Sequence, residues 1–250
     1  MPAAMQPGPI LNISCYLFVS LTDAPQLRDR LHARAEALAL KGTVLLAEEG
    51  INLFLAGPAE AVNAWVDELR ADPRFASLTP KESWSQTQPF QRLKVKVKGE
   101  IIRMNHPTVR PDQAPRAPAL PPATLARWLD QGHDDEGREV VMLDTRNGFE
   151  VDHGAFDGAI DWRLHKFSDF PSALREHRNE LLGKTVVSYC TGGIRCEKAA
   201  MVLEAEGLHA WQLDGGILKY FEDTGGKHYH GGCFVFDERE SLAPDLSPVP

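Results

Sequence analysis

Cys190 follows the β-branched stretch Thr185 to Tyr189, precedes Gly192 and Gly193, and stands four residues, Thr191 to Ile194, before Arg195. A strand that delivers a cysteine into a glycine-bearing turn, with a helix leaving near Ile194, leaves backbone N–H groups without intrahelical partners and aims them into the turn. The two glycines supply the backbone angles that such a cradle needs, and Arg195 adds a fixed cation to its rim. The amides of Thr191 to Ile194 and the Arg195 charge together favour the thiolate of Cys190, ionised and accessible, and any persulfide built on it. Cysteine phosphatases place five residues between cysteine and arginine, which makes room for a phosphate; the four residues here suit a sulfane sulfur or another small group. The plainer alternative is a buried structural cysteine before a helix, and such a residue has no need of two glycines and an arginine.

Other side chains weigh less. Cys196, six positions on and inside the following helix, is placed to resolve an oxidised Cys190 through a disulfide, or else is a small residue facing a sheet. Asp144 and Arg146, at the end of another strand, orient the neighbouring loop through hydrogen bonds. Lys94, Lys96 and Lys98 alternate with Val95 and Val97, so in a strand the ammonium groups share one face and the valines point to the core, with Arg92 extending the row. That stripe is a candidate phosphate contact, or an edge protected by lysines. His228, His230 and Cys233 lie in one short glycine-rich stretch without a CxxC partner, so no metal site is expected. Cys15, in an apolar strand, reads as core.

The elements that must position these residues fall into two sets. The first half reads as strand (Leu11 to Val19), helix (Pro25 to Leu40), two strands (Val44 to Ala47, Ile51 to Ala56), helix (Pro58 to Arg70), then the alternating LKVKVKG and IIRM. This β-α-β-β-α-β order predicts a ferredoxin-like α+β sandwich over residues 1–104. Six prolines between Asn105 and Pro122 predict a stiff linker. Beyond it come helix (Pro122 to Gln131), strand EVVMLD, helix (Pro171 to Leu182), strand TVVSYC, helix (Ile194 to Glu206), strand HAWQLD and a short helix from Gly215. That alternation predicts a parallel α/β domain over residues 123–224, with ligands at the carboxyl ends of its strands. Residues 225–250 form a tail that packs on this domain or frays.

Composition narrows the classes. The chain is 43% hydrophobic and 25% charged, ordinary for a globular protein. No window approaches a membrane span, and the start lacks a signal peptide, so a cytoplasmic location is expected. Four cysteines are too few and scattered for a disulfide framework. The net charge of −8 divides unevenly: residues 1–104 come to +1 and the remainder to −9, so a polyanion meets the first half more easily.

The stretch YCTGGIRCEKAA resembles the active-site loop and following helix of rhodaneses, LDTRN at Leu143 to Asn147 resembles their acidic turn, and GAIDW and LDGGILKY resemble further motifs in the expected order. Joined to a ferredoxin-like (acylphosphatase-like) domain with FQRLKVKVK, and to the trailing CFVFDER, the spelling CTGGIRCEKA resembles the rhodanese-bearing tRNA uridine hydroxylases over nearly the whole chain. The resemblance implies oxygen-dependent conversion of the wobble uridine to 5-hydroxyuridine. It puts the active cysteine on Cys190, with Thr191, Gly192, Gly193, Ile194 and Arg195 as its loop. It further implies tRNA, through its anticodon arm, as partner, and molecular oxygen as co-substrate. No flavin, haem or non-haem-iron signature is present, the electron donor is open, and no stable protein partner is expected. Longer members of the family carry a cysteine-rich C-terminal segment that this sequence does not show. A sulfurtransferase working through a Cys190 persulfide rests on the same loop, and so does a binding module, though an intact loop disfavours the latter.

Overall fold

A computed structural model describes residues 9–249. Its contacts divide the chain into two units, the first running to Ile101 and including Asp237–Arg239, the second comprising Ile102–Phe236 and the residues from Glu240.

In the first unit, β1 (Ile10–Phe18), α1 (Ala24–Ala37), β2 (Lys41–Ala47), β3 (Gly50–Pro58), α2 (Ala59–Arg70) and β4 (Lys81–Ser85) form the ferredoxin-like order, and β5 (Leu93–Val97) adds a further strand. The sheet runs β4-β1-β3-β2-β5; β5 joins the edge in parallel to β2, while the other pairs are antiparallel. Helix α2 buries Val62, Trp65, Val66 and Leu69, the i, i+3, i+4, i+7 stripe of an amphipathic helix, and α1 buries Leu27, Leu31 and Ala35. Both stripes meet Val44, Leu53 and Leu55 from the sheet in one core, which Cys15 also joins. Burial pushes the Cys15 thiol up to about 12, as suits a packing residue.

Two expectations for this unit need correction. The strand that completes the ferredoxin-like order is Lys81–Ser85, whose serines and charged residues hide the usual apolar alternation. Ile101 to Met104 form no strand, because side chains satisfy the backbone instead: Ile101 N donates to Glu49 Oε1 (2.8 Å) and its carbonyl accepts from Asn52 Nδ2 (3.2 Å). Within β5, Val95 points into the core as expected, but Val97 is 42% exposed. An edge strand past the end of the helical cover has apolar packing for only part of its length.

The second unit contains β6 (Ala119–Leu120), α3 (Pro122–Gln131), β7 (Val140–Asp144), α4 (Gly148–Val151), β8 (Gly154–Phe156), β9 (Ile160–Asp161), α5 (Phe170–His177), β10 (Thr185–Tyr189), α6 (Ile194–Ala205), β11 (His209–Leu213) and α7 (Gly216–Thr224). Its five-stranded sheet, β6-β11-β10-β7-β9, is parallel throughout. Alternate residues serve opposite faces: Leu143, Val186 and Ala210 join one core cluster, Met142, Val187 and Leu213 the other. Helix α5 stops at His177, and a 3-10 turn (Arg178–Leu181) replaces the rest of the helix expected to Leu182.

The proline-rich stretch is not a free linker. Met104, Val109 and Ala117 are buried, Gln212 donates from its amide to Ala117 O (2.9 Å), and Ala119–Leu120 form the outer strand of the parallel sheet. The tail, likewise, is built in. Strand β12 (Tyr229–Gly231) pairs with β8, and β13 (Cys233–Phe234) with β14 (Ser241–Leu242). Residues 237–239 fold with the first unit, where Arg239 Nη1 donates to Ser83 Oγ (2.8 Å).

Leu53, buried at the centre of β3, tests which packing holds the first unit. Leu53→Ala is expected to lower its unfolding free energy by about 2–5 kcal/mol, read from urea denaturation.

The cysteine loop as candidate active site

Cys190 leaves β10 one residue past the pair Tyr189–Asp144, so the strand register sets the cysteine beside the end of β7. Gly193 caps α6 with φ +100°, a left-handed conformation that favours glycine, and its N–H donates to Cys190 Sγ at 3.2 Å. The main-chain N–H groups of Arg195 and Cys196 also bond the sulfur. The predicted cradle of amides therefore exists, although its donors come from Gly193, Arg195 and Cys196 and not from the whole run Thr191 to Ile194. Gly192 has no positive φ, contrary to expectation, and nothing lies within 4 Å of where its β-carbon would stand. It is the half-buried member of an otherwise buried loop.

Burial alone raises the Cys190 thiol. The hydrogen bond from the Cys196 thiol, the Arg195 charge and the two amides outweigh it, and the pKa falls from 9.0 to about 5. Cys196, buried and acting as donor, is held well above the usual thiol range, so it remains protonated.

Arg195 does not sit on the rim. It is 5% exposed and grips Glu150 with both terminal nitrogens, Nη1 to Oε1 (2.6 Å) and Nη2 to Oε2 (2.7 Å), while its Nε is buried without a hydrogen-bond partner. The fork geometry of guanidinium and carboxylate fixes where the positive charge stands relative to the sulfur. Glu150 also accepts from Asn147 N (3.1 Å), which starts α4. Sequence reasoning missed Glu150. The spacing Asn147 to Glu150 signals a capped helix start, but nothing in it points to a partner 45 residues away.

Asp144 and Arg146 form a fully buried ion pair, with Arg146 Nε to Asp144 Oδ1 at 2.9 Å and Nη2 to Oδ2 at 2.6 Å. Arg146 donates further to Gly154 O (2.7 Å) and Glu150 O (3.4 Å), which fastens α4 and β8 to the sheet end. These two residues orient the loop through Glu150, as their position at a strand end suggested.

The accessible thiol expected from the sequence is not found: Cys190 is 0% exposed. The first turn of α7 closes the loop from one side, Ile217 N donating to Cys190 O (2.9 Å) and Leu218 N to Thr191 O (3.1 Å). From the other side Thr191 Oγ1 donates to Phe234 O (3.3 Å), so the tail roofs the turn. Cys233 is buried beneath that roof, its thiol pushed up to about 12 by burial. His228 bonds Asp130 (2.8 Å) and His230 bonds Asp157 (3.0 Å). Among the described residues no three histidine, cysteine or carboxylate side chains converge as a metal site.

The basic stripe lies in the first unit. Lys94 and Lys96 are on β5, an edge strand, and Arg92 and Lys98 flank it. Among the described residues none of the four side chains forms an ion pair. Lys96, Lys98 and Arg92 are exposed and Lys94 is half-buried.

Family models for a UPF0176 acylphosphatase-like domain match residues 10–101 and for a rhodanese-like domain residues 123–223. A protein of Delftia acidovorans named tRNA uridine(34) hydroxylase is 69% identical over 242 residues, covering 96% of this chain and 92% of its own length. The chain belongs to the tRNA uridine(34) hydroxylase family. Members from Bordetella avium (63% identical; 96% and 99% covered) and Ralstonia nicotianae (60%; 96% and 85%) carry the same name. A rhodanese-related protein from Thermoplasma volcanium has a solved structure 24% identical to this chain, at a TM-score of 0.34, covering 43% of this chain and 93% of its own. Among the described residues of this family member, no helix is long and apolar enough to cross a membrane.

Alkylation of Cys190 by iodoacetamide, followed against pH by mass spectrometry, is expected to rise through a midpoint near 5, since the thiol protonates and loses reactivity below it. Cys196→Ala removes a donor to the thiolate and should move that midpoint upward by on the order of one pH unit. A second test uses glycine. A β-carbon at Gly216, where φ is +68°, would stand 2.5 Å from Cys190 O and 2.7 Å from Gly193 N. Gly216→Ala should cost at least about 1–3 kcal/mol in thermal unfolding and raise the alkylation midpoint, whereas Gly192→Ala should do neither.

Proposed function

We propose that this protein hydroxylates the wobble uridine of tRNA to 5-hydroxyuridine, with Cys190 as the reacting group. The observation that carries the reading is a thiolate held near pKa 5 by amides and Arg195, in a chain 69% identical to a tRNA uridine(34) hydroxylase. A thiolate adding to C6 of the uracil ring raises electron density at C5, the position that receives oxygen. Molecular oxygen is the co-substrate in this proposal: one atom goes to C5 and the other leaves as water, with two electrons and two protons from an external reductant. Arg195 and the amides of Gly193, Arg195 and Cys196 keep the sulfur ionised; Glu150, Asp144 and Arg146 keep Arg195 in place. The reaction belongs in the cytoplasm, where tRNA is. Arg92, Lys94, Lys96 and Lys98 supply contacts to the phosphates of the anticodon arm, a role supported by their exposure and their freedom from carboxylate partners.

Mass spectrometry of tRNA nucleosides from a deletion strain, complemented with wild type or Cys190→Ser, tests the reaction. 5-Hydroxyuridine-derived nucleosides should disappear on deletion, return with wild type and stay absent with Cys190→Ser. Restoration by Cys190→Ser would remove the cysteine from the chemistry. Transfer of sulfur from thiosulfate to cyanide by the purified protein, with tRNA unaltered, would favour a sulfurtransferase. Replacing Lys94, Lys96 and Lys98 with Ala should weaken tRNA binding and flatten its dependence on salt by up to about three phosphate contacts.

A further inference from the structure

The roof over the cysteine loop is aromatic and partly open. Phe149 is 49% and Phe236 50% exposed, and among the described residues no other Phe, Tyr or Trp of the second unit is as open. Both pack edge to face on one ring, Phe234, at 5.3 Å and 87° and at 5.1 Å and 88°. The His153 imidazole adjoins the same ring at 5.1 Å. Single exposed apolar side chains are ordinary, but two open rings backed by a shared third form a patch, and patches at a site mark binding.

This patch is continuous with the cysteine loop at two points. Phe234 O receives the Thr191 hydroxyl, and Phe149 directly precedes Glu150, whose carboxylate holds Arg195. A uridine stacked within an anticodon loop cannot bring its ring to a sulfur that has no solvent exposure. The base must leave the stack, and its neighbours then lose a stacking partner at a cost of a few kcal/mol. Aromatic side chains replace that lost stacking, and they do so for any base, since every base has a π-face.

We infer that Phe149 and Phe236, backed by Phe234, form a stacking platform for the bases that flank the wobble uridine while that uridine is drawn toward Cys190. The inference rests on the tRNA reading above. Because stacking is tolerant of base identity, the platform serves tRNAs whose neighbouring bases differ, and leaves recognition of the uridine itself to the loop.

Anticodon stem-loop RNA with an unmodified wobble uridine, and the same RNA with an abasic residue beside that uridine, would be titrated by fluorescence anisotropy. The proteins are wild type, Phe149→Ala, Phe236→Ala, and Leu and Trp replacements at both positions. Each Ala variant should bind the intact stem-loop roughly 5- to 150-fold more weakly. Trp should restore binding, while Leu, which fills the space without a π-face, should not. The abasic RNA should lose affinity for wild type and lose no more on Phe→Ala substitution at the platform position it contacts. Wild-type affinity for the intact RNA in the Ala variants, or full rescue by Leu, would overturn the platform and leave the tRNA reading standing. Absence of any stem-loop binding by wild type would instead strike the tRNA reading, and the platform with it.

Discussion

Everything at the cysteine loop depends on where one positive charge is held. A guanidinium buried beside a thiolate is costly to desolvate, and it stays put only if a second anion grips it with good geometry. Glu150 does this with both carboxylate oxygens, and Glu150 is placed in turn by a four-residue helix strapped down by Arg146. Arg146 is itself fixed to Asp144, the last residue of the strand beside the cysteine's own. The chain of placement thus runs from sheet register to ion pair, from ion pair to helix, and from helix to the charge that keeps sulfur ionised. Breaking a buried pair leaves an uncompensated charge, typically at about 3–5 kcal/mol, so the two ion pairs secure local shape as well as electrostatics.

Much of this was readable in advance because the signals are local. The strand before Cys190, the glycine that starts α6 and the arginine one residue into it all lie within six positions, and the backbone rules for such turns need no tertiary knowledge. The ferredoxin-like order and the parallel sheet followed from the spacing of apolar residues. What escaped was non-local. The partner of Arg195 is 45 positions away, and the roof formed by Phe234 is 43 positions from Thr191. A strand built as KESWS on a sheet edge carries no apolar alternation to detect, and IIRM looks like a strand until Glu49 and Asn52 are seen to occupy its backbone.

The proline-rich stretch teaches a related lesson. Prolines predict stiffness, and stiffness is equally useful in a linker and in a segment laid across a domain. Met104, Val109 and Ala117 decide between them by being buried, and the short strand that follows completes the parallel sheet. The first unit, close to neutral overall, meanwhile carries its basic row on an edge strand, where lysines both discourage pairing with another chain and remain available to a polyanion.

The enclosure of Cys190 has a chemical corollary. A sulfur ionised at neutral pH is the form most readily driven up the oxidation series to sulfinic and sulfonic acids, from which it does not ordinarily return. With α7 bonded to the loop's carbonyls on one flank and the tail's Phe234 on the other, bulk peroxide has no standing route to that sulfur. An enzyme that handles oxygen thereby shields its most vulnerable atom, and the same door that excludes stray oxidant must be opened by the nucleic acid it serves.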